Sequence, residues 1–167
     1  MSESLNKVVL ITGGNLANRE LYLSQAAFYI GKNIGSITRF SKIYDTAPWG
    51  FNHEQTFLNQ ALIVETCLLP HEVLEKINEI EKKMGRTRKD SKGYSARTID
   101  IDILFFNDEI IDELDLIIPH PHIGKRMFVL KPLCEIMPDY FHPITKVSIK
   151  NMVESCEDKL AVFEYTK

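Results

Sequence analysis

The chain has 167 residues, 44% hydrophobic and 26% charged, which excludes disordered and fibrous classes and fits a single domain spanning 1–167. Twenty Lys and Arg against 23 Asp and Glu leave a formal charge of −3, so no global field draws the molecule toward nucleic acid or an anionic membrane. Any anion site must be local.

Lys7 to Thr12 is a short β-branched run that should end at Gly13 and Gly14, after which Asn15 or Asn18 can cap a helix running to about Lys32 and stopping near Gly35. Ile37 to Tyr44 and Phe57 to Thr66 are rich in strand formers, separated by the Pro/Gly-containing loop Thr46 to Gln55. Pro70 suits a first helical position, and Val73, Leu74, Ile77, Ile80 and Met84 recur at helical spacing until Gly85 supplies a C-terminal cap. Arg97 to Phe106 alternates as a strand. The order is therefore βαββαβ, a ferredoxin-like α+β core whose antiparallel sheet carries helices on one face, with further elements toward the C-terminus. Glu109 to Asp112 reads as an edge strand, Gly124 to Ile136 as short helical turns broken by Pro132, and Leu160 to Tyr165 as a last strand.

The polar N-terminus and the shortness of the apolar run Val8 to Ile11 lead to the expectation of a soluble, cytoplasmic protein without a signal peptide or membrane span. Cys67, Cys134 and Cys156 stand at unrelated spacings, which suits reduced, buried thiols rather than a disulfide frame or zinc site.

Charge is distributed unevenly. From Glu81 to Arg97 there are seven basic residues (Lys82, Lys83, Arg86, Arg88, Lys89, Lys92, Arg97) against Glu81 and Asp90, while Thr98 to Ile118 holds seven acidic residues and no basic one. A polyphosphate with its metal ions would suit that reversal. In Thr98-Ile-Asp-Ile-Asp-Ile103 the period of two puts Asp100 and Asp102 on one strand face, roughly 6.5 to 7 Å apart, where hard oxygen ligands suit Mg²⁺; the plainer alternative is a solvated strand face. The loop Gly85 to Arg97 is expected to be mobile when empty and to fold its arginines over phosphates. Gly13-Gly14-Asn15 matches neither a P-loop nor a dinucleotide fingerprint and reads as a structural turn. His120 and His122 have no further Cys or His at ligand spacing and read as hydrogen-bonding residues. From composition alone, Phe57 and Phe128 would be core.

These strings resemble the 6-hydroxymethyl-7,8-dihydropterin pyrophosphokinase family over about Val8 to Asp139. The resemblance is carried by Gly13-Gly-Asn-Leu16, Tyr44-Asp-Thr-Ala-Pro-Trp-Gly50, Phe57-Leu-Asn59, Glu81 with Gly85-Arg-Thr-Arg88, Arg97-Thr-Ile-Asp-Ile-Asp-Ile-Leu104, Pro119-His120 and Arg126-x-Phe128. It implies transfer of a diphosphate from ATP to the pterin hydroxymethyl group, with AMP released, in folate biosynthesis. It further implies that Asp100 and Asp102 hold two Mg²⁺ ions and that Arg86 and Arg97 handle the transferring phosphates. Leu74, Glu81, Arg88, Ile103, His120 and Arg126 would line the ATP site. The pterin would lie between Phe57 and Phe128, read by Thr46, Asn59 and backbone near Ala47 and Trp49. The chain departs from the family pattern at Ala47, where a second Pro is common, at Phe57, where a Tyr occurs, and at Pro121, where a Tyr would follow the His.

The rival from another class is an RNA-binding module of the same βαββαβ order, but the corresponding strand carries Asp100 and Asp102 in place of an aromatic-basic string. A regulatory domain that binds a small ligand without catalysis would form no AMP. The expected partners are thus ATP and the dihydropterin, with neither nucleic acid nor membrane, for a monomer.

Overall fold

The computed structural model describes residues 3–47, 55–85 and 98–167. The element order is β1 (Asn6–Gly14), α1 (Arg19–Asn33), β2 (Ser36–Phe40), β3 (Tyr44–Thr46), β4 (Phe57–Thr66), α2 (Pro70–Lys83), β5 (Asp100–Phe106), β6 (Ile111–Asp112), β7 (Ile117–Ile118), a 3₁₀ turn at Ile123–Lys125, α3 (Met127–Ile136), α4 (Ile149–Ser155) and β8 (Val162–Glu164). The main sheet is antiparallel with strand order β5-β1-β4-β3-β8, and β2 pairs with the other half of the same edge of β4. Counting β2 and β3 as two halves of one strand, this is the expected ferredoxin-like α+β order.

The sheet is covered on both faces, which corrects the one-faced reading. Val8, Leu10, Leu58, Leu62, Ile101 and Ile103 pack with Leu23 and Ile30 of α1 and Val73, Ile77 and Ile80 of α2. Val9, Ile11, Ala61, Ile63, Leu104 and Phe105 pack on the opposite face with Val129, Leu130 and Leu133 of α3 and Ile149 and Met152 of α4. Continuous apolar runs in β1 and β4 are what a strand buried on both sides requires.

Local chemistry explains the boundaries. Asn18 caps α1, its side chain accepting from the Leu21 amide at 3.1 Å, and the Gly35 amide closes the far end on the Ile30 carbonyl. Pro70 opens α2, and the Glu72 carboxylate accepts from the Leu69 amide at 2.7 Å. Strand β1 does not stop at the glycines, because Gly13 and Gly14 pair with Asn59 and Leu58. The predicted strand over Ile37 to Tyr44 is broken at Ser41, whose hydroxyl accepts from the Ala61 amide at 2.9 Å where a ladder carbonyl would otherwise stand. Ile111–Asp112 pairs with Ile117–Ile118 in a separate hairpin and not along the main sheet. Pro132 lies buried inside α3 without breaking it; this ten-residue helix forgoes one amide, and the burial of Val129, Leu130, Leu133 and Ile136 holds it in place. All three cysteines are unbonded, but Cys67 is exposed and Cys134 only half-buried, so the expectation of buried thiols holds for Cys156 alone. Among the described residues no helix is long and apolar enough to cross a membrane.

Candidate active site

The cleft lies on the α3 face of the sheet, beyond the end of that helix. Tyr44, Asn59, Gly13 and Asp100 are successive partners across β3, β4, β1 and β5. Directly opposed residues share a face, so one row of the sheet runs from the β3 edge to an aspartate. Beside it, Thr46 opposes Phe57, and Ile11 opposes both Asp102 and Ala61. The row needs a glycine at its centre, since a Cβ on Gly13 would collide with the Asn59 side-chain oxygen. Asn59, 5% exposed, turns its amide nitrogen to the Thr46 hydroxyl at 3.4 Å.

About 610 Å³ of empty space, open to solvent on one side, lies over this floor. The lining brings together most of the expected pterin residues, Thr46, Ala47, Phe57, Asn59 and Phe128, with Asp100, Asp102, His120 and Arg126. Phe128 is the second residue of α3; the Met127 amide donates to Asp158 Oδ2 at 2.9 Å at the start of the helix, and near its end Glu135 accepts from the Tyr44 hydroxyl at 2.7 Å, tying the helix to β3. Sequence reasoning missed Ile11, Thr12, Gly13, Leu104 and Val129 as lining residues. Gly13 carried a visible signal in its glycine pair, but its partner Asn59 becomes apparent only from the register.

Not every expected residue is in the cleft. Ile103 points to the opposite face from Asp102 and packs under α2. Leu74 and the buried Glu81 lie on α2, the former lining a shallow depression with His71, Asn78 and Asp115. There His71 Nε2 lies 2.7 Å from Glu113 Oε2, closing the β6–β7 hairpin onto the helix. Trp49, Arg86, Arg88 and Arg97, and with them the expected loop closure, fall outside the described residues.

Two basic groups set the electrostatics of the described cleft. Burial is the largest cause that pushes His120 down to about 4, His122 adds to it, and Asp100 opposes it. His120 is therefore neutral at pH 7. Its Nδ1 accepts from the His122 amide at 3.2 Å, which leaves Nε2–H as the donor. Arg126, 6% exposed, is pushed down to about 10 by burial and remains charged, with its guanidinium carbon 5.8 Å from the Phe128 ring centre. The cleft thus brings two aromatic rings together with two carboxylates, a cation beside one of the rings and a neutral donor.

A sheet of this topology defines a ferredoxin-like α+β domain, here with a cleft that sets carboxylates beside aromatic rings. The family model described as 7,8-dihydro-6-hydroxymethylpterin-pyrophosphokinase matches residues 9–138, and the chain belongs to that family. It is 42% identical over 134 residues to the 2-amino-4-hydroxy-6-hydroxymethyldihydropteridine pyrophosphokinase of Bacillus subtilis, covering 79% of both chains. It is 39% identical over 143 residues to the enzyme of that name from Aquifex aeolicus, covering 86% of this chain and 88% of the relative. Among solved structures, Plasmodium falciparum HPPK-DHPS superposes with a TM-score of 0.73 at 22% identity; 89% of this chain is covered, and the chain spans 43% of that longer one. As a member of this family the chain is a pyrophosphokinase of folate biosynthesis.

Proposed function

We propose that the chain, acting as one domain over 1–167, transfers the diphosphate of ATP to the hydroxymethyl group of 6-hydroxymethyl-7,8-dihydropterin, and that the cleft built on the Tyr44–Asn59–Gly13–Asp100 row is where it does so. The observation that carries this reading is that Asp100 and Asp102 share one cleft with Phe57, Phe128, Thr46 and Asn59.

The pterin lies between the two phenylalanine rings, and the Asn59 amide and Thr46 hydroxyl read its polar edge, a mode of binding suited to a flat heterocycle. Backbone at Ala47 and Trp49 completes the reading. Its hydroxymethyl arm is thereby directed toward β5. The hydroxymethyl oxygen forms a bond to the β-phosphorus and releases its proton to solvent, the bond from that phosphorus to the bridging oxygen of the α-phosphate breaks, and AMP leaves with that oxygen.

Asp100 and Asp102 fit magnesium: two half-buried carboxylates on one face offer hard oxygen donors with no thiol between them. They would hold two such ions, which supply charge neutralisation on the phosphate oxygens when bound. Carboxylates committed in this way are poor proton acceptors, so we assign neither aspartate as a general base. His120 Nε2–H and the Arg126 guanidinium donate to the nucleotide, and Arg86 and Arg97 stabilise the shifting phosphate charge. Strand β5 is the outer edge of the sheet. We place the remainder of the nucleotide over that edge, toward Leu74, Glu81 and Ile103 on the α2 side, and assign Arg88 as a further nucleotide-binding residue.

The unbonded cysteines support a reducing, cytoplasmic setting, and we take the working unit to be a monomer. Incubation with ATP, Mg²⁺ and the dihydropterin tests the reading. AMP and a diphosphorylated pterin are expected; ADP as the product, or no pterin-dependent nucleotide consumption, would overturn it.

A further inference from the structure

We propose that Arg19 is a positioning residue for the pterin, acting from the back of the sheet; the inference rests on the pterin reading above. Thr46 and Phe57 are directly opposed at the end of the β3–β4 ladder. Their neighbours Asp45 and Thr56 alternate to the other face, away from the cleft. Both neighbours meet one guanidinium there. Arg19, the first residue of α1, donates through one nitrogen to the Thr56 carbonyl and the Thr56 hydroxyl, each at 2.9 Å. The same nitrogen lies 3.9 Å from Asp45 Oδ1, an oxygen shielded from solvent that has no hydrogen-bond partner among the described residues. Gln55, oriented so that its amide nitrogen donates to the Asn15 carbonyl at 2.7 Å, accepts from Arg19 Nε at 3.2 Å. The guanidinium carbon also sits 5.8 Å from the centre of the Tyr165 ring, whose backbone amide bonds to the Ile43 carbonyl just before β3.

Arg19 therefore ties the residue preceding Phe57 to the residue preceding Thr46. A planar fork can donate to Thr56 and Gln55 at once while its charge faces Asp45, and a lysine ammonium is a compact point charge without that fixed geometry. The guanidinium side chain is only 17% exposed, so water does not readily take over its contacts. Loss of the fork would let Phe57 and Thr46 drift relative to one another, and binding that depends on their spacing would weaken. The carboxylate end on β5 is two strands away from β4, across β1, and makes no use of Arg19.

Steady-state kinetics of Arg19→Ala and Arg19→Lys test this. Arg19→Ala is expected to raise the KM for the pterin by about tenfold, the scale of one lost buried hydrogen-bonding group. The KM for ATP and the kcat at saturating pterin should stay within about twofold of wild type. Arg19→Lys should fall between the two in pterin KM. Direct pterin titration with a non-hydrolysable ATP analogue present should show the same order of affinities. Should Arg19→Ala fail to fold, Thr56→Val, which removes only the hydroxyl acceptor, is expected to raise pterin KM by about threefold. A folded Arg19→Ala with unchanged pterin KM would overturn the proposal, as would equal rises in both KM values with a lower melting temperature, or an unaltered Thr56→Val. Wild-type protein that forms no AMP would instead remove the pterin reading itself.

Discussion

In the proposed reading Asp102 serves the phosphates and the two phenylalanines bind the ring, all within one cleft. Asp102 is half-buried and lines the open cleft, outside both apolar clusters, so its carboxylate contributes little to the core. Asp102→Ala should reduce AMP formation by at least ~10²-fold, the scale of losing one electrostatic stabiliser, with a nearly unchanged melting curve. Near-normal turnover at physiological Mg²⁺ would make the pair a solvated strand face. Phe57→Ala and Phe128→Ala should each weaken pterin binding by roughly 1–3 kcal/mol, as for bases stacked on aromatic rings, and leave ATP binding nearly intact. Titration calorimetry with each ligand separates that result from a core role, which would weaken both together. The Asp100/Asp102 parity was legible because alternation needs only one strand. The contact between Gly13 and Asn59 was not, because 46 positions separate them and only the β1–β4 register brings them together.

At the scale of elements, two helical layers have different relations to the cleft. Ile77 of α2 is 1% exposed and packs on the face away from it; Leu130 of α3 is fully buried and lies two residues from Phe128. Ile77→Ala and Leu130→Ala should each cost about 2–5 kcal/mol of stability. Only the second should also raise pterin KM, a contrast that thermal melts and steady-state kinetics measured on the same samples can check. Equal pterin KM values would mean that α3 does not place Phe128. Much of this layering was readable: β4 occupies Phe57–Thr66 as expected, and α2 begins at Pro70. The second helical layer was missed although Val8 to Ile11 announces it, since four consecutive apolar residues need cover on both faces. The break at Ser41 was beyond reach, because a hydroxyl standing in for a carbonyl leaves no pattern in a single sequence.

Across the whole molecule, the site constrains how stability responds to acid. His120 titrates near 6.5 in an unfolded chain and is pushed down to about 4 in the fold, chiefly by burial. Between those values the unfolded chain binds a proton that the folded one does not. Stability is thus fully present above about pH 6.5 and is lost as pH falls toward about 4. Burial also pushes His142 down, in the same direction. His120→Gln should therefore flatten the fall in melting temperature between pH 6.5 and 4 without abolishing it. A profile superimposable on wild type would mean that His120 is not held neutral.

Strand β5 pairs with β1 through a shift of register, in which Leu10 faces Ile103 but Val9 faces Phe105, so Leu104 is an extra residue. Before the shift, alternate residues give Asp100 and Asp102 to the cleft and Ile101 and Ile103 to the α2 side; after it, Phe105 joins the α3 side and Phe106 the α2 side. The strand therefore keeps two parities in one length, and Leu104 is where they change over. Most surface segments absorb the gain or loss of a codon by looping out. Here removal of Leu104 alone would return β5 to simple alternation, with both carboxylates still in the cleft and Phe105 and Phe106 still in their separate layers, at the cost of one buried side chain. Loss of a codon at Leu104 should thus be tolerated far better than loss of Ile101, which would turn Asp100 to the α2 side and out of the cleft.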